Sequence, residues 1–144
     1  MDLEATELET LRQVFLDDAP PDPSPALDEE ALSRAVRGDV ELVGDLLALF
    51  RPEAAAALDR IEQTLRGGEP SGVAAAAHAI KGTLASLHAR AAAGTAGELE
   101  EMCTVSDLDR WVALDARLRV QVRQVQGELE ELVGRMASRT EGPT

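Results

Sequence analysis

The chain has 144 residues, enough for one domain that buries roughly two-thirds of the surface its unfolded form would expose. Aromatic residues make up 2% of it, with one Trp, two Phe and no Tyr, so Leu, Val, Ile and Ala must fill the core, which favours packed helices over a sheet. A formal net charge of -13 without a concentrated basic patch excludes nucleic acid as a partner, because its phosphate backbone would be repelled.

Arg117, Arg119 and Arg123 are the nearest thing to a basic cluster, and they lie among apolar residues along a helix, as a solvated face does. The lone Cys103 has no partner for an internal disulfide, and no Cys and His arrangement has zinc spacing. The start "MDLEATELETL" is acidic and amphipathic, unlike a signal peptide, and no run approaches membrane-spanning length. These features predict a soluble cytoplasmic protein with no membrane contact.

In chain order, Leu3, Leu8, Leu11, Phe15 and Leu16 fit one face of a helix over residues 3 to 16, expected to add an element to the end of the domain. "APPDPSPA", residues 19 to 26, has four prolines that remove donors and fix φ, so it reads as an extended linker. Asp28 is suited to cap a short helix "EEALSRAV" that stops at Gly38, and Asp39 to cap a long one whose apolar positions run from Leu42 to Leu65. Pro52 is a candidate bend in that helix.

"RGGEPSG", residues 66 to 72, reads as a loop, and a third helix follows over "AAAAHAIKGTLASL", residues 74 to 87. "ARAAAGTAGELEEMC", residues 89 to 103, predicts another helix, with Gly94 and Gly97 letting a neighbour approach. Ser106 and Asp109 form a capping-box pattern before a last helix carrying Trp111, Leu118, Val125 and Leu132. Cys103 and Trp111 are expected in the core. The predicted fold is all-α, an antiparallel four-helix bundle with short additional N-terminal helices: a helix within 1–18, a linker over 19–26, the bundle over 27–137 and a flexible tail over 138–144.

The helix over residues 74 to 87 holds the candidate chemistry. With roughly 100° per residue, Val73, Ala77, Ile80, Leu84 and Leu87 form one apolar stripe, and His78 lies nearly opposite it, toward solvent. Ala74, Ala75, Gly82, Ala85, Ser86 and Ala89 share the His78 face, and all are small, as a face closely approached by a partner requires. Gly82 costs an exposed helix about 0.5 to 1 kcal/mol relative to Ala, and clears space beside the imidazole. Lys81, the one Lys against 13 Arg, lies one turn from His78, and a compact ammonium on a flexible stem suits a mobile phosphoryl group. A neutral imidazole nitrogen is available near pH 7 for nucleophilic phosphoryl acceptance. No Asp or Glu occurs from residue 74 to 97, so further apparatus is expected from a partner.

At these residues the chain resembles the histidine-containing phosphotransfer (HPt) domains of two-component phosphorelays, whose signature H-x-x-K-G followed by small residues is matched by "HAIKGTLAS", His78 to Ser86. The likeness extends upstream through "LDEEALSRAVRGDVELVGDLLALF" and downstream to "AGELEEMC". It implies that His78 takes a phosphoryl group from a receiver-domain aspartate and passes it to another receiver, with Lys81 stabilising charge and Gly82 giving clearance; the projected small residues Ala74, Ala75, Ala85, Ser86 and Ala89 are the expected docking face. It also implies receiver domains of response regulators or of a hybrid histidine kinase as partners, Mg²⁺ in the receiver with no cofactor or metal bound by this chain, and no kinase activity of its own. A monomer is expected. Where the family commonly has Gly, about ten positions after the histidine, this chain has His88; its projection toward the apolar stripe predicts a structural role.

Three other readings compete. The dimerising region of a sensor kinase typically has an acidic residue after its histidine and a proline soon after, whereas here Ala79 follows and the next proline is Pro143. A chemotaxis kinase's histidine domain shares the motif but normally starts a much longer chain. The second serious hypothesis is a non-catalytic helical adaptor docking a signalling partner through the face around His78.

Overall fold

The computed structural model describes residues 4–18, 24–67, 70–102 and 108–140. Among these, the fold is all-helical, without a strand: α1 Ala5–Asp18, α2 Glu29–Val36, α3 Val40–Gly67, α4 Pro70–Ser86, α5 Arg90–Glu101 and α6 Leu108–Thr140. No helix is long and apolar enough to cross a membrane among the described residues.

Local chemistry sets the boundaries. Asp28 Oδ1 accepts the Ala31 N–H at 3.0 Å, satisfying a donor that the first turn of α2 leaves unpaired. α2 ends through Arg37 (φ 54°) and Gly38 (φ 72°), whose N–H groups bond Arg34 O and Ser33 O, and Asp39 then caps α3 by accepting the Leu42 N–H at 3.2 Å. Pro52 lies inside α3, exposed, and the helix runs on to Gly67.

The predicted loop at 66–72 shrinks accordingly, since both of its ends are helical and only residues 68–69 lie outside the described residues. Gly72 explains the close return. A Cβ there would sit 2.7 Å from Thr64 Oγ1, so α3 and α4 meet where α4 has no side chain.

α3 packs on α4 and α6, and α5 packs on α4 and α6, so four helices close a ring around one core. Val43, Leu47, Phe50, Ala54, Ala57, Ile61 and Leu65 of α3 are buried, facing Val73, Ala77, Ile80 and Leu84 of α4, Ala92, Ala96 and Leu99 of α5, and Leu118, Val122, Val125, Leu129 and Leu132 of α6. Trp111 joins this core, whereas Cys103 and Ser106 lie outside the described residues. Each fully buried Leu, Ile or Phe contributes about 1.5–3 kcal/mol.

α1 lies against α6 with Leu8 fully buried and Leu11 and Phe15 packed on the core. Arg12 is buried with it. Its Nε donates to the fully buried Asp115 at 2.7 Å and its Nη2 to Glu62 of α3 at 2.7 Å, while Arg119 also donates to Asp115 at 3.1 Å. Burial works against the Arg12 charge, but hydrogen bonding and attraction from Asp115 outweigh it and hold its pKa above the ordinary value.

Further along, Glu128 of α6 accepts the backbone N–H groups of Ala26 and Leu27 at 2.7 and 2.9 Å, and Arg135 donates to Glu29 at 2.6 Å. Of the expected linker, residues 24–26 are thus non-helical and held on α6, and residues 19–23 lie outside the described residues. α6 continues through Ser138 to Thr140, past the point where a tail was expected, because Met136 is still buried and Arg135 still ties the helix to α2.

Candidate functional site

α4 turns its apolar stripe inward: Val73, Ala77, Ile80 and Leu84 are at most 1% exposed. That orientation leaves the His78 side chain 69% exposed on the outer face. Ala75, Gly82, Ala85 and Ser86 are exposed beside it and Ala74 is half-buried. A Cβ built on Gly82 would meet nothing within 4 Å, so no contact among the described residues requires a glycine there.

Ala89 does not belong to that face. It is fully buried as the N-cap residue of α5, because α4 ends at Ser86 and the projection that placed Ala89 beside His78 assumed a helix continuing past that point. The chain turns at His88, which adopts φ 59°, the left-handed conformation that usually falls to glycine. His88 N–H bonds Ala85 O at 3.0 Å and Ala89 N–H bonds Leu84 O at 2.9 Å, closing the last turn in a Schellman pattern. His88 O accepts the Asp28 N–H at 3.0 Å, so this turn also anchors the entry to α2.

The turn sends α5 back alongside α4 and brings a carboxylate to His78. Glu100 Oε1 lies 2.7 Å from His78 Nδ1, and Glu100 Oε2 lies 2.7 Å from Lys81 Nζ. The Lys81 stem passes Gly97 of α5, where a Cβ would touch Lys81 Cδ at 3.5 Å, an ordinary contact. Gly94, by contrast, is exposed with nothing near its Cβ position, so the expectation that it admits a neighbouring helix is not met. On the other side of α4, Thr83 donates to Glu53 and ties the helix to α3.

The hydrogen bond from Lys81, then that from His78, holds the Glu100 carboxyl below the ordinary carboxylate range. Glu100 is therefore ionised near neutrality and can only accept hydrogen bonds. A neutral His78 must then carry its proton on Nδ1, which leaves the lone pair on Nε2, the other nitrogen of an exposed ring. The arrangement leaves one nitrogen of an exposed ring outside the Glu100 contact and holds an ammonium on the same carboxylate. Among the described residues, no group of three or more His, Cys, Asp or Glu is placed to hold a metal ion.

Sequence reasoning missed Glu100, since it weighed acidic residues only along α4 and the start of α5. The signal was present in "AGELEEMC": folding the chain back about a turn near residue 89 sets residue 100 beside residue 78.

No curated protein and no solved structure matches the chain. The family model for the Hpt domain matches residues 45–138, from the first turns of α3 through most of α6. Members of that family carry out histidine phosphotransfer in phosphorelays, and with well over half its length matched and its H-x-x-K-G histidine displayed on α4, the chain belongs to the Hpt domain family.

Proposed function

We propose that the ring of α3 to α6 is an antiparallel four-helix bundle that presents His78 as the phosphoryl carrier between receiver domains. The observation that carries this reading is the pairing of His78 Nδ1 with an ionised Glu100, which leaves the Nε2 lone pair free on an exposed ring amid a face of small residues.

In the forward step the Nε2 lone pair forms a bond to phosphorus as the P–O bond of a receiver's aspartyl phosphate breaks. The electron pair of that bond leaves with the aspartate carboxylate. The ring retains its Nδ1 proton, which Glu100 Oε1 continues to accept as the N–P bond forms. Lys81 supplies charge to the transferred phosphoryl, and the receiver supplies Mg²⁺. Gly82 admits the partner's backbone, and Ala74, Ala75, Ala85 and Ser86 form the surface on which it docks. The reverse sequence passes the phosphoryl to a second receiver aspartate, so the chain needs no kinase activity of its own.

The test is acid-labile, base-stable phosphate on the chain after incubation with phosphorylated receiver domains and Mg²⁺. Labelling of wild type and not of His78→Gln, with equal helical circular dichroism, supports the carrier; a folded wild type that never labels with any competent receiver leaves the adaptor.

A further inference from the structure

We infer that Glu100 is a switchable counter-ion, holding Lys81 on the Nδ1 side of His78 in the unphosphorylated state and releasing it when a phosphoryl group occupies Nε2. This rests on the phosphotransfer reading of His78 and adds to it a control of how strongly the chain retains its phosphoryl group.

The geometry makes the two states distinct. One carboxylate spans both cations, with Oε1 on the ring and Oε2 on the ammonium, each at 2.7 Å. Lys81 Nζ is therefore held by the same carboxylate that accepts from Nδ1, the nitrogen that carries the ring proton, and not by any group bonded to Nε2. The Lys81 side chain is 40% exposed, and its stem runs past a glycine, Gly97, so a swing of the ammonium meets no side chain at that position. A phosphoryl group on Nε2 brings about two negative charges within reach of the same ammonium, against the single charge of Glu100.

The consequence concerns the position of equilibrium. An ion pair present before transfer and weakened after it stabilises the unphosphorylated chain, so Glu100 opposes retention of the phosphoryl group on His78. A carrier must give up what it accepts. Arg at position 81 would lose this property, because a guanidinium paired in a fixed fork moves less readily between partners than an ammonium.

Glu100→Gln separates the two roles of the carboxylate, since its amide oxygen still accepts from His78 Nδ1 while the charge that holds Lys81 is gone. The experiment incubates the full chain with a phosphorylated receiver domain and Mg²⁺ to equilibrium and measures the ratio of phosphorylated His78 to phosphorylated receiver. Wild type, Glu100→Gln, Lys81→Met and the double variant are compared, with circular dichroism as the check of folding. The ratio should rise about two- to five-fold in Glu100→Gln, the range that an exposed ion pair supports, and the rise should largely vanish on the Lys81→Met background. An unchanged ratio, or an equal rise on both backgrounds, overturns the switch while leaving the carrier intact; a wild type that never labels overturns both.

A second readout needs no variant. The chain has a single lysine, so its ε-methylene and ammonium resonances are unambiguous in wild type. They should move on phosphorylation of His78, and lysine resonances that stay in place on a fully phosphorylated chain contradict the switch.

Discussion

Glu100 Oε1 lies 2.7 Å from His78 Nδ1, across the turn that joins α4 to α5. The contact sets which ring nitrogen is free, and its removal has a definite cost. Glu100→Ala should slow phosphoryl acceptance roughly tenfold, by analogy with the lower end of what hydrogen-bond partners of metal-bound histidines contribute. Nitrogen NMR of His78 should show the Nδ1–H form predominating in wild type and a mixture of tautomers in the variant. An unchanged tautomer ratio contradicts the orienting role even if the rate falls.

The same contact has a pH signature. Hydrogen bonds from Lys81 and His78 depress the Glu100 pKa in the folded chain, so the favourable contribution is present above the ordinary glutamate range and is lost as pH falls through the depressed value. Carboxyl-carbon NMR should place the Glu100 midpoint below that of a glutamate in an unfolded peptide. Lys81→Met should move it back up. A midpoint equal in the two proteins contradicts the pairing.

Gly82 separates stability from function. Since a Cβ there meets nothing within 4 Å, Gly82→Ala should stabilise α4 by about 0.5–1 kcal/mol, read in chemical unfolding. If the glycine serves partner approach, Gly82→Leu should fold normally and still transfer phosphoryl groups at a reduced rate. Normal transfer by Gly82→Leu contradicts the clearance role.

How far the sequence disclosed this arrangement depends on whether a feature is local to one helix. The exposure of His78 follows from the apolar spacing of Val73, Ala77, Ile80 and Leu84 along α4, and the caps Asp28 and Asp39 from their place before apolar runs. Ala89 was misplaced because projection along a helix does not reveal that a His, without the usual glycine, can take the left-handed position and end it. Glu100 depends on α5 folding back along α4, a relation of two elements. Arg12 and Asp115 stand 103 positions apart, and nothing in either neighbourhood distinguishes a buried ion pair from two surface charges.

That pair makes a prediction for the N-terminal helix. Arg12→Ala strips the buried Asp115 of one cation, leaving Arg119 as its remaining partner, and should destabilise the chain by about 3 kcal/mol. Deleting residues 1–24 removes Leu8 and Phe15 as well and should lower the thermal midpoint further. The hydrogen bond from Arg12 also depresses the Glu62 pKa, so part of the gain from α1 docking is present above the ordinary glutamate range and fades as pH falls through the depressed value. Thermal unfolding unaffected by the deletion contradicts an integrated α1.

His88 offers the converse case. Its φ of 59° strains an L-residue, and His88→Gly should raise stability by about 1 kcal/mol, a shift of about 2–4 °C in thermal midpoint for a chain of this size. A lower midpoint would mean that the half-buried imidazole contributes more than its backbone costs.

The most direct test of the central claim is phosphate labelling at His78. Phosphorylated receiver domains with Mg²⁺ are mixed with wild type and with His78→Gln, and acid-labile, base-stable phosphate on the chain is followed in time. The account predicts rapid labelling of wild type and none of the variant, with mass spectrometry placing the group on His78. Labelling that survives His78→Gln, or its absence from a folded wild type across receivers that label other Hpt domains, would contradict it.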